Sequence, residues 1–111
     1  MAVLINQEEG LKRVMNNKKL YMKLLNKFRT ETNLDELKES IVAHDYEKAQ
    51  VSAHTLKGIS GNLSLTALYE QSVAIESQIK NHSIDESTVT AFTDCFDDTM
   101  RAIDEVIAVN G

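Results

Sequence analysis

The chain contains no proline and only four glycines among its 111 residues. Proline interrupts helices and glycine permits the tight turns of sheet proteins, so their scarcity favours long, uninterrupted helices. Apolar residues, Met15 and Val42 among them, recur at one-turn spacing in every segment long enough to judge, and no alternating, strand-like stretch competes with them. The sequence therefore predicts an all-α fold and excludes a turn-rich β-sandwich or barrel.

Six helices are predicted, separated by short polar breaks. Two of them span about 7–30 and four span about 33–109. The residues predicted to cap their amino ends are Asn6, Asn33, Asp45, Ser64 and Asp85, and Asn16-Asn17 separates the first two helices. Because short connections make consecutive helices antiparallel, we expect an up-down-up-down four-helix bundle covered by the two N-terminal helices, in a single domain of residues 1–111.

Composition narrows the function classes. The net charge of −5 disfavours a protein that binds nucleic-acid phosphates, and no apolar run is long enough to span a membrane. A single cysteine cannot form an internal disulfide, which fits the cytoplasm. Both glycine-rich nucleotide-binding fingerprints are missing, so nucleotide-dependent enzymes of those types are excluded. We expect a cytoplasmic protein that binds neither nucleic acid nor membrane.

Charge is distributed unevenly along the chain. Residues 1–57 contain ten basic and eight acidic side chains, whereas residues 58–111 contain two basic and nine acidic ones. One interpretation is a solvated acidic helix at the C-terminal end. The other is a partly basic face on the N-terminal half that receives an acidic partner.

The predicted helix over about 46–63 has an unusual outer face. Its apolar stripe consists of Tyr46, Ala49, Ala53, Leu56 and Leu63. At about 100° per residue, His54 lies more than ~100° away from the centre of that stripe. Lys57, Gly58 and Gly61 fall within roughly 60° of the His54 direction. We therefore expect these four residues on the flank or outer surface of the fold.

Two glycines inside one helix reduce its stability, by about 1 kcal/mol each relative to alanine. On an outer face they serve no packing within the monomer. We therefore interpret Gly58 and Gly61 as a bare strip that lets another molecule approach His54. The alternative is that they permit a close helix–helix crossing inside the fold.

An accessible imidazole beside a lysine suits phosphoryl transfer. A neutral imidazole nitrogen is a good nucleophile near neutral pH, and a P–N bond to imidazole is labile enough for the group to be passed on. Lys57 would neutralise part of the phosphoryl charge. The chain has no nucleotide site of its own, so we expect the phosphoryl donor and any Mg²⁺ to belong to partner proteins.

At this helix the sequence resembles a known family. His-Thr-Leu-Lys-Gly at 54–58, followed by Ser60, Asn62 and Leu63, is similar to the signature of histidine-containing phosphotransfer (Hpt) domains of bacterial multistep phosphorelays. Further similarity lies in Ala49 and Ala53, in Leu68 with Ile75-Glu76, and in the N-terminal stretches Gly10-Leu11-x-Arg13-Val14 and Leu20-Tyr21-x-x-Leu24-Leu25-x-x-Phe28. The resemblance covers nearly the whole chain, and only 53–63 is highly specific.

The resemblance implies a role for each matching residue. His54 would accept a phosphoryl group from a receiver domain's phosphoaspartate, for example that of a hybrid sensor kinase, and pass it to the receiver of a response regulator. Lys57 would stabilise the phosphohistidine, and Gly58 would open space for the partner. Glu76, on the next helix, would orient the imidazole. The chain departs from the family at Ser64, where many members carry glycine.

Other readings of the sequence remain open. The dimerisation and phosphoacceptor region of a sensor histidine kinase usually has an acidic residue directly after its histidine and a proline soon afterwards, whereas Thr55 follows here and proline is absent. A helical interaction module that is never phosphorylated is a third possibility. His44 and His82 are interpreted as surface or capping residues, and the three histidines do not have the spacing of a metal site. We expect a monomer, and the initiator methionine favours a freestanding protein.

Overall fold

The computed structural model describes residues 3–110 and consists of helices joined by short turns. Met1 and Gly111, the first and last residues of the predicted domain, lie outside the described residues. In chain order the helices are α1 (Gln7–Arg13), α2 (Lys18–Phe28), α3 (Asn33–Val42), α4 (Tyr46–Asn62), α5 (Thr66–Lys80) and α6 (Glu86–Asn110). No strand occurs among the described residues, so the predicted all-α class is confirmed.

α1 and α4 begin at predicted side-chain caps. Asn6 and Asp45 each accept a hydrogen bond from the backbone N–H three residues on, at 3.2 and 3.1 Å. Asn33 does not cap α3, because it is the first residue of the helix and its side-chain amide donates to Glu31 instead. Ser64 does not cap α5 either, since Leu65 occupies the cap position without a side-chain hydrogen bond.

From α3 to α6 each helix packs against the next one in the chain, and the contacts between α4 and α5 give their register. His54 of α4 lies against Glu76 of α5, and two turns further along α4 Gly61 lies against Tyr69, which is nearer the start of α5. This order makes α4 and α5 antiparallel. On the other side, α2 packs against α6: the rings of Phe28 and Phe96 are 5.6 Å apart between centroids.

The buried core runs between the helices along their predicted stripes. Its largest fully buried members are Tyr21, Leu25, Leu37, Leu56, Leu65, Leu68, Ile75, Ile79, Phe92 and Ile103. Met15 and Val42 are not part of it, since 91% and 80% of their surfaces are exposed. Met15 lies in the turn after α1 with a positive φ of 57°, and Val42 is the last residue of α3, so neither continues its stripe.

The turn between α4 and α5 is tied to the N-terminal part of the chain. Ser64 has a φ of 56°, in the left-handed region that favours glycine, and is 2% exposed. Its hydroxyl donates to Glu9 Oε1 at 2.9 Å and its carbonyl accepts from the Asn6 N–H at 2.9 Å. These hydrogen bonds offset the cost of a side chain at this position.

Over residues 3–110, no helix is long and apolar enough to cross a membrane.

Candidate functional site

The small residues of α4 determine where His54 points. Ala49, Ala53 and Ser60 are almost completely buried against the neighbouring helices, and the Ser60 hydroxyl is satisfied by donating to the Leu56 carbonyl at 2.7 Å. Because this stripe faces inward, His54 is turned to the flank of the helix, where its side chain is 69% exposed. The predicted exposure of His54 is confirmed.

The carboxylate of Glu76 lies beneath the imidazole. Glu76 is on α5, one of that helix's buried residues, and its side chain is only 5% exposed. Its Oε2 lies 3.1 Å from His54 Nδ1, and its Oε1 lies 2.7 Å from Lys57 Nζ. A carboxylate removed from water is costly unless it is paired and hydrogen-bonded, and here each oxygen has a partner.

These contacts favour the charged forms of Glu76 and Lys57. Burial of Glu76 acts to raise its pKa, but the hydrogen bonds from Lys57 and His54 and the charges of Lys57 and Lys80 outweigh it, so the pKa of Glu76 is lowered. The hydrogen bond to Glu76 raises the pKa of Lys57. Near neutral pH, Glu76 is therefore an anion and Lys57 a cation.

An ionised carboxylate can only accept hydrogen bonds, and this selects the tautomer of the imidazole. Nδ1 of His54 must carry the proton that is donated to Glu76. In the neutral imidazole, Nε2 then carries the lone pair, on an exposed ring. The arrangement is that of an oriented nitrogen nucleophile with an ammonium group one helical turn away.

The two glycines have different surroundings. A Cβ added to Gly58 would meet no heavy atom of the described residues within 4 Å, as expected for a bare strip. A Cβ added to Gly61 would lie 3.3 Å from the ring of Tyr69, so Gly61 accommodates a side chain of α5. The expectation that neither glycine serves packing within the monomer is therefore wrong for Gly61, because the ring of Tyr69 lies over it.

Tyr69 is a site residue that sequence analysis missed. Its ring lies against Gly61, it is 42% exposed, and it shares the lining of a hollow with Lys57. This hollow of about 510 Å³ lies between α1, α4 and α5, and its α4 floor includes Gly58 and Gly61. The pairing of His54 with Glu76 would have predicted it, because the same antiparallel register places Tyr69 opposite Gly61.

The other two histidines form a separate cluster at the far end of α5. His44 Nδ1 lies 3.4 Å from the Tyr46 hydroxyl, and the ring of His82 stacks on Tyr46 at 4.2 Å between centroids. Both histidines are exposed, in agreement with their interpretation as surface residues. No three His, Cys, Asp or Glu side chains in the described part of the chain are grouped as metal ligands.

Comparison with known proteins gives one match. The family model of the Hpt domain matches residues 24–105, which include α4 with His54 and α5 with Glu76. No curated protein and no solved structure has significant similarity to the chain.

Proposed function

This chain belongs to the Hpt domain family, and from that premise we propose that His54 accepts a phosphoryl group from the phosphoaspartate of one receiver domain and passes it to the aspartate of another. Hpt domains act in histidine phosphotransfer within two-component phosphorelays, as phosphocarriers rather than classical enzymes. The observation that carries the residue assignment is the exposed His54 imidazole, whose Nδ1 is held by the buried Glu76 carboxylate.

The transfer proceeds at Nε2 of His54. Its lone pair attacks phosphorus, a P–N bond forms, and the P–O bond to the receiver's aspartate breaks, leaving a carboxylate. The proton on Nδ1 stays in its hydrogen bond to Glu76 throughout. In the next transfer a receiver carboxylate attacks phosphorus and the P–N bond breaks, which returns the electron pair to Nε2. Glu76 is thus a positioning residue that keeps the correct nitrogen free.

Lys57 and Gly58 assist the same phosphoryl transfer without reacting themselves. The Lys57 ammonium, one turn along α4 from His54, supplies positive charge for the incoming phosphoryl oxygens. Gly58 leaves space for the receiver's active site, since a Cβ there would contact no other residue between 3 and 110. Mg²⁺ and the donor phosphoryl group belong to the receiver, because phosphoryl transfer needs charge neutralisation that one lysine does not complete.

The proposal extends to partners and assembly. The chain would act as a cytoplasmic monomer that binds the receivers of a hybrid sensor kinase and of a response regulator, with Gly58 and Gly61 near the centre of the contact. It would hold α3 to α6 as an antiparallel four-helix bundle, an arrangement that the three short connections favour. Light scattering after gel filtration tests the monomer, which a kinase dimerisation region would not give.

A labelling experiment tests the phosphoacceptor. The chain is incubated with a receiver domain carrying radiolabelled phosphoaspartate, and transferred label is checked for the acid lability of phosphohistidine. We expect the wild type to be labelled and His54→Gln to take up no detectable label, with unchanged helicity because the side chain is exposed. The matched control is the double variant His44→Gln, His82→Gln, which should be labelled like the wild type. Label retained in His54→Gln would refute the assignment.

A further inference from the structure

Lys57 is already engaged before any phosphoryl group arrives. Its ammonium contacts Glu76 Oε1 at 2.7 Å, a charge-assisted hydrogen bond, and its side chain is only 27% exposed. A lysine that stabilises phosphohistidine must turn part of its hydrogen bonding toward the phosphoryl oxygens. In this chain it does so against the attraction of a buried carboxylate.

We propose that Glu76 shortens the lifetime of the phosphorylated chain by competing with the phosphoryl group for Lys57. This inference rests on the proposed function and adds a regulatory role to the same site: Glu76 makes phosphorylated His54 a readier donor. The competition is strong because the carboxylate is almost completely buried, where its attraction for an ammonium is less screened than at the surface.

The charges around Glu76 support this role. Its contacts on α4 are His54, which accepts the phosphoryl group, and Lys57, the cation it holds. From α5 itself, Lys80 contributes a weaker attraction, and Tyr69 lines the same hollow as Lys57. Lys57 is thus the one cation that both Glu76 and a phosphoryl group on His54 are placed to bind within the described residues.

The chemistry that Glu76 promotes is loss of the group to water or to a receiver. In hydrolysis, a water oxygen attacks phosphorus, the P–Nε2 bond breaks, the electron pair returns to Nε2, and the attacking water releases a proton to solvent. In transfer, a receiver carboxylate replaces the water. With Lys57 retained by Glu76, the phosphoryl oxygens have less neutralising contact in the phosphorylated state, and both routes begin from a less stable starting point.

The test compares the half-life of the label in purified phosphorylated chains. Glu76→Gln removes the charge but leaves an amide oxygen that still accepts from Nδ1 of His54. We expect its phosphorylated form to last about fivefold longer than the wild type, as befits loss of a charge-assisted bond. Glu70→Gln is the matched control, since it removes an exposed carboxylate from the same helix and should leave the half-life unchanged.

A double-mutant cycle separates this mechanism from a general loss of negative charge. Lys57→Ala should shorten the half-life, and in that background Glu76→Gln should have less than about half of its effect on the logarithm of the half-life. An equal effect of Glu76→Gln with and without Lys57, or no effect at all, would overturn the inference. A wild-type chain that takes no label would instead overturn the proposed function.

A second variant covers the case in which Glu76→Gln fails to fold. Glu76→Asp keeps the charge but shortens the side chain by one methylene, which lengthens the 2.7 Å contact to Lys57. We expect a half-life about twofold longer than the wild type, because the lysine is held less tightly. A half-life equal to that of the wild type would contradict the competition for Lys57.

Discussion

The outer face of α4 around His54 has few contacts with the rest of the chain, whereas the turn after α4 is hydrogen-bonded to distant residues. Around His54 the helix is bare: the imidazole is exposed and a Cβ on Gly58 would have no neighbour. The turn at Leu63 and Ser64 is tied down by side chains and backbone distant in the sequence. Tyr21 Oη donates to the Leu63 carbonyl at 2.7 Å, in addition to the bonds that Ser64 makes with Asn6 and Glu9.

The difference separates reactivity from stability. The site must be open to a partner, so the outer face of α4 around His54 contributes little to the core, whereas hydrogen bonds from Tyr21, Asn6 and Glu9 hold the turn after α4. The register that brings Glu76 beside His54 is seen in the contacts along α4 and α5 themselves. We therefore expect a substitution on the open face at Gly58 to alter transfer without lowering stability, and substitutions at the turn to do the reverse.

The largest effect is expected at the bare region. Gly58→Leu places a bulky side chain where the receiver approaches, and its steric cost of about 1–3 kcal/mol in the complex should slow transfer roughly 5- to 150-fold. Its free energy of unfolding should rise by about 0.5–1 kcal/mol, because leucine is a better helix former than glycine and Gly58 has free space beside it. Transfer kinetics and urea unfolding measure the two. A wild-type transfer rate would remove the access explanation.

At the turn we expect a smaller effect, in which the free energy of unfolding falls and the transfer rate does not change. Tyr21→Phe removes the hydroxyl that donates to Leu63 and leaves a buried carbonyl without that partner, which should cost about 1–2 kcal/mol of unfolding free energy. Burial, and then the charge of Glu9, raise the pKa of Tyr21 to about 12. The phenol therefore stays protonated at neutral pH and can donate its hydrogen bond. The transfer rate of the folded protein should not change.

Tyr46→Phe is the matched control for that variant. The Tyr46 hydroxyl has only a 3.4 Å contact with the exposed His44 ring, so its removal should cost less than about 0.5 kcal/mol. A transfer rate that falls in Tyr21→Phe at temperatures where it is fully folded would show that the turn and the site are not separable in the way the contacts suggest.

Sequence analysis predicted the exposed face around His54 better than it predicted the turn at Leu63 and Ser64, for a physical reason. Helical periodicity is local, so the direction of His54 follows from the spacing of Ala49, Ala53 and Leu56 within one helix. The pairing of His54 with Glu76 depends on how two helices dock, and it came only from resemblance to a family. Ser64 was interpreted as a cap because serine favours caps, whereas distant contacts with Glu9 and Asn6 hold it in the turn.

The packing of Tyr69 on Gly61 escaped sequence analysis for the same reason. Glycine on the outer face of a predicted helix looks identical in sequence whether a partner protein or a side chain of the next helix fills the space. Only the register between α4 and α5 distinguishes Gly58, which is open, from Gly61, which is covered. Gly58 and Gly61 are less than one turn apart, yet the first leaves open surface and the second makes room for the Tyr69 ring.

The smallest predicted effect tests that distinction directly. Gly58→Ala and Gly61→Ala each gain up to about 1 kcal/mol of helix propensity. At Gly58 nothing opposes the gain, so the free energy of unfolding should rise by about 0.5–1 kcal/mol. At Gly61 the new methyl group lies 3.3 Å from the Tyr69 ring, which must shift, so the gain should be cancelled or reversed. In a Tyr69→Ala background, Gly61→Ala should recover the gain seen at Gly58. Equal stabilisation by the two alanines in the wild-type background would mean that Tyr69 yields freely and that both glycines serve access alone.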